Sequence, residues 1–128
     1  MGLGWNSGID LWACGCVIVE MLAGRQLFPT HGDLEHLAMV ERVSGPVAQY
    51  MIDQAPDDVK AIFNKKGKVK SEHVPMDRQN RVTRLMLLKN MFPDDRDKDL
   101  LDLLIYVLTI DPRKRITANQ ALQNPFFQ

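Results

Sequence analysis

The chain has 128 residues, of which 45% are hydrophobic and 25% are charged, the composition of an ordinary globular domain. Sixteen basic side chains balance sixteen acidic ones, so the overall charge gives no reason to expect direct binding to nucleic acid or to an anionic membrane. The longest apolar stretch, near residues 11–23, contains Glu20 and is too short to span a bilayer.

The first predicted element is a helix over residues 7–23, which is apolar on nearly every face. Such a pattern predicts a helix that is surrounded by protein. Ser7 is the expected N-cap, and Gly24 is the expected C-terminal stop.

This helix contains both cysteines of the chain, Cys14 and Cys16. Residues two apart in a helix point about 200° apart around its axis, so the two thiols cannot pair or share a metal. Two buried thiols without a disulfide framework favour a reducing intracellular compartment, and we expect a nuclear or cytoplasmic location.

A second helix is predicted over residues 34–43, with Asp33 as its cap and Gly45-Pro46 closing it. Weaker helices are predicted over residues 47–54 and 57–63.

Residues 60–89 contain most of the positive charge, with nine basic side chains against two acidic ones. This segment is interpreted either as a solvated basic face or as a docking surface for an acidic partner. Within it, the sequence FNKKGKVK has a turn signal at Gly67 between short alternating runs, which predicts a small hairpin over residues 63–70.

The remaining elements are predicted to be helical, apart from a loop over residues 71–80. Helical spacing marks residues 81–92, and residues 97–110 form a strongly apolar pattern with acids in the first turn. Thr117 and Gln120 have capping-box spacing at the start of the last helix. The sequence therefore predicts a cluster of helices with one small hairpin.

No residue pattern predicts a catalytic, cofactor-binding or metal-binding site. The glycines between Gly2 and Gly8 do not fit the G-x-G-x-x-G phosphate loop, and no strand precedes them. His31, Asp33 and His36 match no zinc-ligand spacing.

Two charged residues stand out from this pattern. Asp10 lies in the most apolar helix, where an unpaired buried carboxylate is costly, and Arg115 lies in a turn beside the last two helices. If buried, the carboxylate needs donors and the guanidinium needs a facing acid, which we expect another piece of protein to supply. The alternative is that both are surface residues.

Three stretches carry a family resemblance: GWNSGIDLWACGCVIVEMLAGRQLFPTH, DLEHLAMVERVSGP and IDPRKRITANQALQNPFF. Together they resemble the C-terminal half of a eukaryotic protein kinase and, more narrowly, the LAMMER family of CDC-like, dual-specificity kinases. That family is named for the motif E-H-L-A-M-M-E-R, from which this chain departs only at Val40. The resemblance implies a mainly α fold in which residues 1–128 form part of a kinase C-lobe, from helix F to the last helix, with a hairpin insertion.

The resemblance also implies roles for individual residues. Asp10 corresponds to the helix F aspartate that accepts hydrogen bonds from catalytic-loop amides, while Trp12 and Gly15 pack that helix. Arg115 corresponds to the arginine that pairs with the glutamate of the A-P-E motif. Glu20 lies where some kinases bind a substrate arginine, although the same acid is structural in many others.

The signature helix is expected to pack the lobe and the family insertion rather than to perform chemistry. Its residues are Glu35, His36, Leu37, Ala38, Met39, Val40, Glu41 and Arg42.

The 128 residues contain no glycine-rich loop, H-R-D or D-F-G motif, so no cofactor is expected in this segment, whereas the complete kinase is expected to use ATP and magnesium. The expected partners are the N-lobe and catalytic-loop half of the kinase, and Arg/Ser-rich proteins as substrates of the complete enzyme. By itself, the segment is expected to be inactive and to expose an apolar patch. The alternative is a non-catalytic module that binds kinase partners or substrates.

Overall fold

The computed structural model describes residues 1–4, 6–92 and 98–128, and these are mainly helical, as the sequence predicts. None of the helices in these ranges is long and apolar enough to cross a membrane. The α-helices are, in chain order, α1 (Gly8–Ala23), α2 (Asp33–Ser44), α3 (Gln49–Asp53), α4 (Asp57–Lys60), α5 (Met76–Arg84), α6 (Leu88–Met91), α7 (Lys98–Val107) and α8 (Ala118–Leu122).

The chain divides into two compact units, which are described separately. The first, called the signature unit, comprises residues 1–4 and 28–87 and contains α2 to α5. The second, called the α1 unit, comprises residues 5–27 and 88–128 and contains α1 and α6 to α8.

In the α1 unit, α1 packs against α7 at a glycine. Gly15 is buried, and a Cβ atom built on it would lie 2.6 Å from Cγ1 of Val107 and 3.0 Å from Cδ2 of Leu108. Only glycine allows this approach without a shift of the neighbouring side chains. The core of the unit continues through Leu103 and Ala121, against which Leu11 and Ile116 pack.

The ends of α1 only partly follow the prediction. Ser7 has helical dihedral angles and makes no side-chain cap bond, whereas the side chain of Asn6 accepts a hydrogen bond from the Gly8 amide at 2.8 Å. Ser7 thus occupies the predicted N-cap position, but its side chain does not cap the helix, because Asn6 accepts from the first free amide instead. Gly24 ends the helix with a φ of 66°, in the left-handed conformation that the C-terminal stop requires.

In the signature unit, α2 supplies the central packing surface with Ala38, Met39 and Val43, each at most 1% exposed. Its N-cap is Gly32 rather than the predicted Asp33, which is the first helical residue. Asp33 then lies in the first turn, where its charge complements the helix dipole.

The segment between α4 and α5 contains a tight turn closed by an antiparallel bridge between Phe63 and Val69. The Asn64 amide donates to the Lys68 carbonyl at 2.8 Å, and the Lys70 amide donates to the Ile62 carbonyl at 2.9 Å.

Residues 71–92 differ from the prediction. The predicted loop contains a short 3₁₀ turn (Ser71–His73) and the start of α5, and the predicted helix over residues 81–92 is interrupted after Arg84. Pro75 directly precedes α5, and Leu85 is extended with a ψ of 147°. Val82, Leu85 and Leu88 are all buried. Their helical spacing therefore arises from burial on both sides of the break and not from one continuous helix.

The helix predicted over residues 97–110 is shorter in the structure, because it ends at Val107. Helix α7 spans Lys98–Val107, while residue 97, the predicted start, lies outside the described residues. The capping box at α8 is confirmed, because the Thr117 side chain accepts from the Gln120 amide and the Gln120 side chain accepts from the Thr117 amide. A 3₁₀ turn (Pro125–Phe127) follows.

Candidate functional site

Helix α1 has one uncovered side. Asp10, Cys14, Val17 and Met21 are all exposed, and their spacings of four, three and four residues place them on one face of the helix. We call these four residues the open stripe; Val17 is 53% exposed and Met21 78%. In this chain only the Gly15 and Val19 side of α1 is buried, so the helix is not surrounded by protein here and exposes apolar side chains, as expected for the segment by itself.

Asp10 is a surface residue of the open stripe in this chain, and donors supplied by another piece of protein stay a prediction. Its carboxylate is exposed in the first turn of α1, so it carries no burial penalty in this chain. Cys14 is exposed as well, which corrects the expectation of two buried thiols. Both cysteines are free thiols, in agreement with their predicted opposite directions.

Arg115 is bound within the α1 unit by backbone carbonyls. Its Nε donates to the Thr109 carbonyl at 2.8 Å, Nη1 to the Gly8 carbonyl at 3.0 Å, and Nη2 to the Ile110 carbonyl at 3.0 Å. The guanidinium also lies over the Trp12 ring, 5.0 Å from its centroid. The expectation that Arg115 needs an acid facing it is therefore wrong, since carbonyl oxygens and an aromatic face satisfy it.

The turn before Arg115 fixes the position of this side chain. The amides of Lys114 and Arg115 both donate to the Asp111 carbonyl, and the Asp111 carboxylate accepts from the Arg113 amide at 3.0 Å. Burial lowers the pKa of the Arg115 guanidinium, while the charge of Asp111 raises it. The guanidinium stays protonated, because an arginine pKa lies far above neutral pH.

Glu20 closes the turn that follows α1. Its Oε1 accepts a hydrogen bond from the Leu27 amide at 2.9 Å, and the side chain is half-buried. This bond gives Glu20 a structural role in the α1 unit; contact with a substrate arginine remains a prediction. Burial, followed by the charge of Glu20, raises the pKa of the Cys16 thiol to about 11.

The two acids of the signature motif, Glu35 and Glu41, are bonded inside the signature unit. Glu35 is 2% exposed; its Oε2 accepts from the His31 amide at 3.2 Å and lies 3.8 Å from Nη1 of Arg78. Glu41 reaches the tight turn, where its Oε2 accepts from the Val69 amide at 3.2 Å. Burial raises the pKa of the Glu41 carboxyl, against the opposing effects of the Val69 amide and the charge of Lys68.

The other signature residues also make contacts within this unit. Nη2 of Arg42 donates to the Thr83 carbonyl at 2.8 Å, and the His36 ring lies 5.6 Å from that of Phe28. Ala38 and Met39 are buried, while Leu37 and Val40 are half-buried. These residues pack or form hydrogen bonds within the unit, although Oε1 of Glu35 and Oε1 of Glu41 are buried without a hydrogen-bond partner.

The expectation of no cofactor in this segment stays a prediction. No group of three or more histidine, cysteine, aspartate or glutamate side chains in these ranges is placed to hold a metal ion. His31, Asp33 and His36 are exposed, and the Cβ position of Gly2 faces the Pro56 ring rather than an open cradle.

Comparison with known proteins places these features in a family context. Residues 3–127 match the family model described as the protein kinase domain. Dual specificity protein kinase lkh1 of Schizosaccharomyces pombe is 39% identical over 99% of this chain and 19% of its own length. Serine/threonine-protein kinase AFC3 of Arabidopsis thaliana is 38% identical over 100% of this chain and 33% of its own length. Dual specificity protein kinase CLK4 of Homo sapiens is 37% identical over 99% of this chain and 26% of its own length.

A crystal structure of a kinase domain superposes with a TM-score of 0.84 at 27% identity, covering 98% of this chain and 37% of that one. The chain thus spans between a fifth and a third of the length of these three relatives and corresponds to the helical C-lobe of the kinase fold.

Proposed function

The chain belongs to the protein kinase domain family and is of the LAMMER, CDC-like type, and from this premise we propose that it acts as the C-lobe scaffold of such a kinase. The complete enzyme transfers the γ-phosphate of ATP to serine or threonine of Arg/Ser-rich proteins, in the nucleus or cytoplasm. The partners of this segment are the N-lobe and the catalytic loop, and it does not itself bind nucleic acid or membrane.

The open stripe of α1 is the observation that carries this proposal. It combines an exposed carboxylate, that of Asp10, with the exposed apolar side chains of Val17 and Met21. A second segment of protein that covers this stripe removes apolar surface from water, which is favourable by about 25 cal/mol per Å². Its backbone amides are suitable donors for the carboxylate, since an acid covered without donors is costly.

The chemical step belongs to other parts of the complete enzyme. Phosphoryl transfer depends on groups that position the phosphates and on metal ions that neutralise the developing charge. The sequence of this segment contains none of the motifs that supply these groups. Its contribution is therefore positional: α1 holds the catalytic loop through Asp10, and Arg115 holds the start of α1 through the Gly8 carbonyl.

A chimera with a relative tests the proposal. The matching segment of lkh1 is replaced by this chain, and phosphorylation of an Arg/Ser-rich peptide is measured. We expect an active chimera that loses at least about tenfold in kcat with Asp10→Ala, corresponding to about 1.4 kcal/mol of barrier. Asp58→Ala, which removes an exposed acid from α4, is the matched control. A folded but inactive chimera, or equal rates for both variants, would overturn the proposal.

The second candidate is a non-catalytic interaction module, which the basic charge of residues 60–89 favours. The chimera distinguishes the two functions, because a module without a scaffold role does not restore phosphorylation. For the chain by itself we expect no nucleotide binding by calorimetry, and micromolar affinity for ATP would contradict this expectation.

A further inference from the structure

Three lysines lie on a rigid turn in the signature unit. The turn of residues 64–68, called the lysine turn, carries the exposed side chains of Lys65, Lys66 and Lys68. Its backbone is fixed from inside, since Oδ1 of Asn64 accepts from the Lys66 amide at 2.9 Å and from the Lys68 amide at 3.1 Å. The Gly67 amide donates to the Asn64 carbonyl at 2.9 Å, and the φ of 70° at Gly67 suits glycine.

The turn is also anchored to α2. The bond from the Val69 amide to Glu41 joins it to the signature helix, and Phe63 and Val69 are 6% and 4% exposed. The three ammonium groups are therefore presented from a backbone that is already ordered, so binding through them costs less entropy than binding through a flexible loop.

The charges of the lysine turn are not neutralised by ion pairs. In the parts of the chain that the structure describes, the ion pairs join Lys60 to Asp57 and Arg78 to Glu35 and Asp77. Lys70, next to the turn, donates through Nζ to the Ala61 carbonyl at 2.8 Å. The charge of Lys68 lowers the pKa of the Glu41 carboxyl, which burial raises, and the Glu41 carboxylate is bonded to the Val69 amide. Three like charges within four residues repel one another, and an anionic partner relieves that repulsion.

The chemistry of the turn distinguishes between anionic partners. Phosphate sites commonly use converging backbone amides, but the amides of Lys66, Gly67 and Lys68 are all bonded inside the turn. Single-stranded nucleic acid is held by base stacking on aromatic rings, whereas the aromatic ring of this segment, Phe63, is buried. Dispersed ammonium groups without amide donors suit carboxylates that are spread along a peptide.

We propose that the lysine turn is a docking site for an Asp/Glu-rich segment of a partner protein. The site is separate from the phosphoryl-transfer role of the lobe. It is formed entirely by residues of this chain. Its recognition is electrostatic and is fixed in position by Asn64 and Glu41.

The test uses the 128-residue chain and a fluorescent peptide of aspartate, glutamate and glycine, with binding followed by anisotropy. The triple variant Lys65→Gln, Lys66→Gln and Lys68→Gln should bind about tenfold more weakly, because exposed ion pairs contribute modestly and three are lost. Raising the ionic strength from about 0.1 M to about 1 M, which shortens the Debye length from about 10 Å to about 3 Å, should remove most of the binding.

A matched triple variant controls for net charge. Arg25→Gln, Lys89→Gln and Lys98→Gln remove three exposed basic charges elsewhere and should leave the affinity within about twofold. Thermal melting by circular dichroism establishes that both variants fold. If the lysine-turn variant fails to fold, amide chemical-shift changes in the unsubstituted chain decide, and they should concentrate at residues 64–68.

Three results would overturn the proposal. The first is equal binding by the two triple variants or by a peptide with asparagine and glutamine in place of the acids. The second is tighter binding of a phosphoserine peptide or an RNA oligonucleotide than of the acidic peptide. The third is shift changes confined to other surfaces. Because no kinase reaction enters these measurements, their failure is distinct from failure of the chimera.

Discussion

The carboxylate of Glu41 accepts a hydrogen bond from the Val69 amide at 3.2 Å, joining residues that are 28 positions apart in the sequence. This bond connects the signature helix to the lysine turn. It gives Glu41, the seventh residue of the family motif, a structural role. Measuring the free energy of unfolding of Glu41 variants tests this role.

Replacing Glu41 should separate its acceptor role from its charge. Glu41→Ala leaves the Val69 amide without its partner, and we expect it to lower the free energy of unfolding by about 1–3 kcal/mol. Glu41→Gln keeps an acceptor oxygen and removes the desolvation cost of the charge, so it should be no less stable than the parent at neutral pH. Urea unfolding of both variants checks this; similar losses would contradict the distinction.

The same carboxyl predicts a pH dependence. Because burial raises its pKa in the folded chain above its ordinary value of 4.5, the folded state binds the proton more tightly than the unfolded state. Its contribution to stability is therefore most favourable below pH 4.5 and is lost as the pH rises through the folded pKa. The difference in unfolding free energy between Glu41→Gln and the parent should grow across that window, and a constant difference would refute this assignment.

Arg115 should be a strong stabiliser of the α1 unit. Arg115→Ala removes three hydrogen bonds from a charged donor and the stack on Trp12, and we expect a loss of about 2–4 kcal/mol. Arg115→Lys should recover only part of this, because an ammonium cannot reproduce the planar fork. Lys114→Ala, at an exposed neighbour, is the control and should change the stability by less than about 0.5 kcal/mol.

The contact of α1 with α7 depends on the missing side chain at Gly15. Gly15→Ala brings a methyl group within 2.6 Å of Val107, and overpacking of this kind costs about 1–3 kcal/mol despite the higher helix propensity of alanine. In a chain that already carries Val107→Ala, the Gly15→Ala substitution should lower the free energy of unfolding by less. Thermal unfolding of this double-mutant cycle measures the coupling, and additive effects would contradict the close approach.

The open stripe should promote self-association of the chain by itself. Exposed apolar side chains on one helix face form a patch that is unfavourable in water. Val17→Lys with Met21→Lys should shift light-scattering mass towards the monomer, whereas Met76→Lys, at an exposed methionine 81% accessible in the signature unit, should not. A monomeric parent chain would contradict this prediction.

Local patterns were enough to predict the mainly helical fold and several of its helix ends. The capping box at Thr117 and the left-handed Gly24 follow from residue type and spacing alone. The continuous helix predicted over residues 81–92 is wrong because Val82, Leu85 and Leu88 are buried on both sides of a break at Leu85, which their spacing does not indicate.

The charged residues were harder to predict, because their partners are distant in sequence or are backbone atoms. Nothing in the sequence marks the Gly8 carbonyl as an acceptor for Arg115, 107 residues away. Similarly, the pattern identifies Asp10 as an acid in an apolar helix but does not indicate which side of α1 packs. The Gly15 position in the D-x-W-x-x-G motif was the available signal, since a glycine there marks the side of close approach.

The most direct test of the scaffold role follows the alkylation of Cys14 by iodoacetamide with peptide mass spectrometry. Cys14 lies on the open stripe and is exposed in the chain, whereas Cys16 reacts slowly because its pKa is about 11, which makes it an internal reference. If the rest of a kinase covers the stripe, alkylation of Cys14 relative to Cys16 should fall at least about tenfold in the lkh1 chimera. An unchanged ratio in a folded chimera would show that the stripe stays uncovered and would contradict the proposed role of α1.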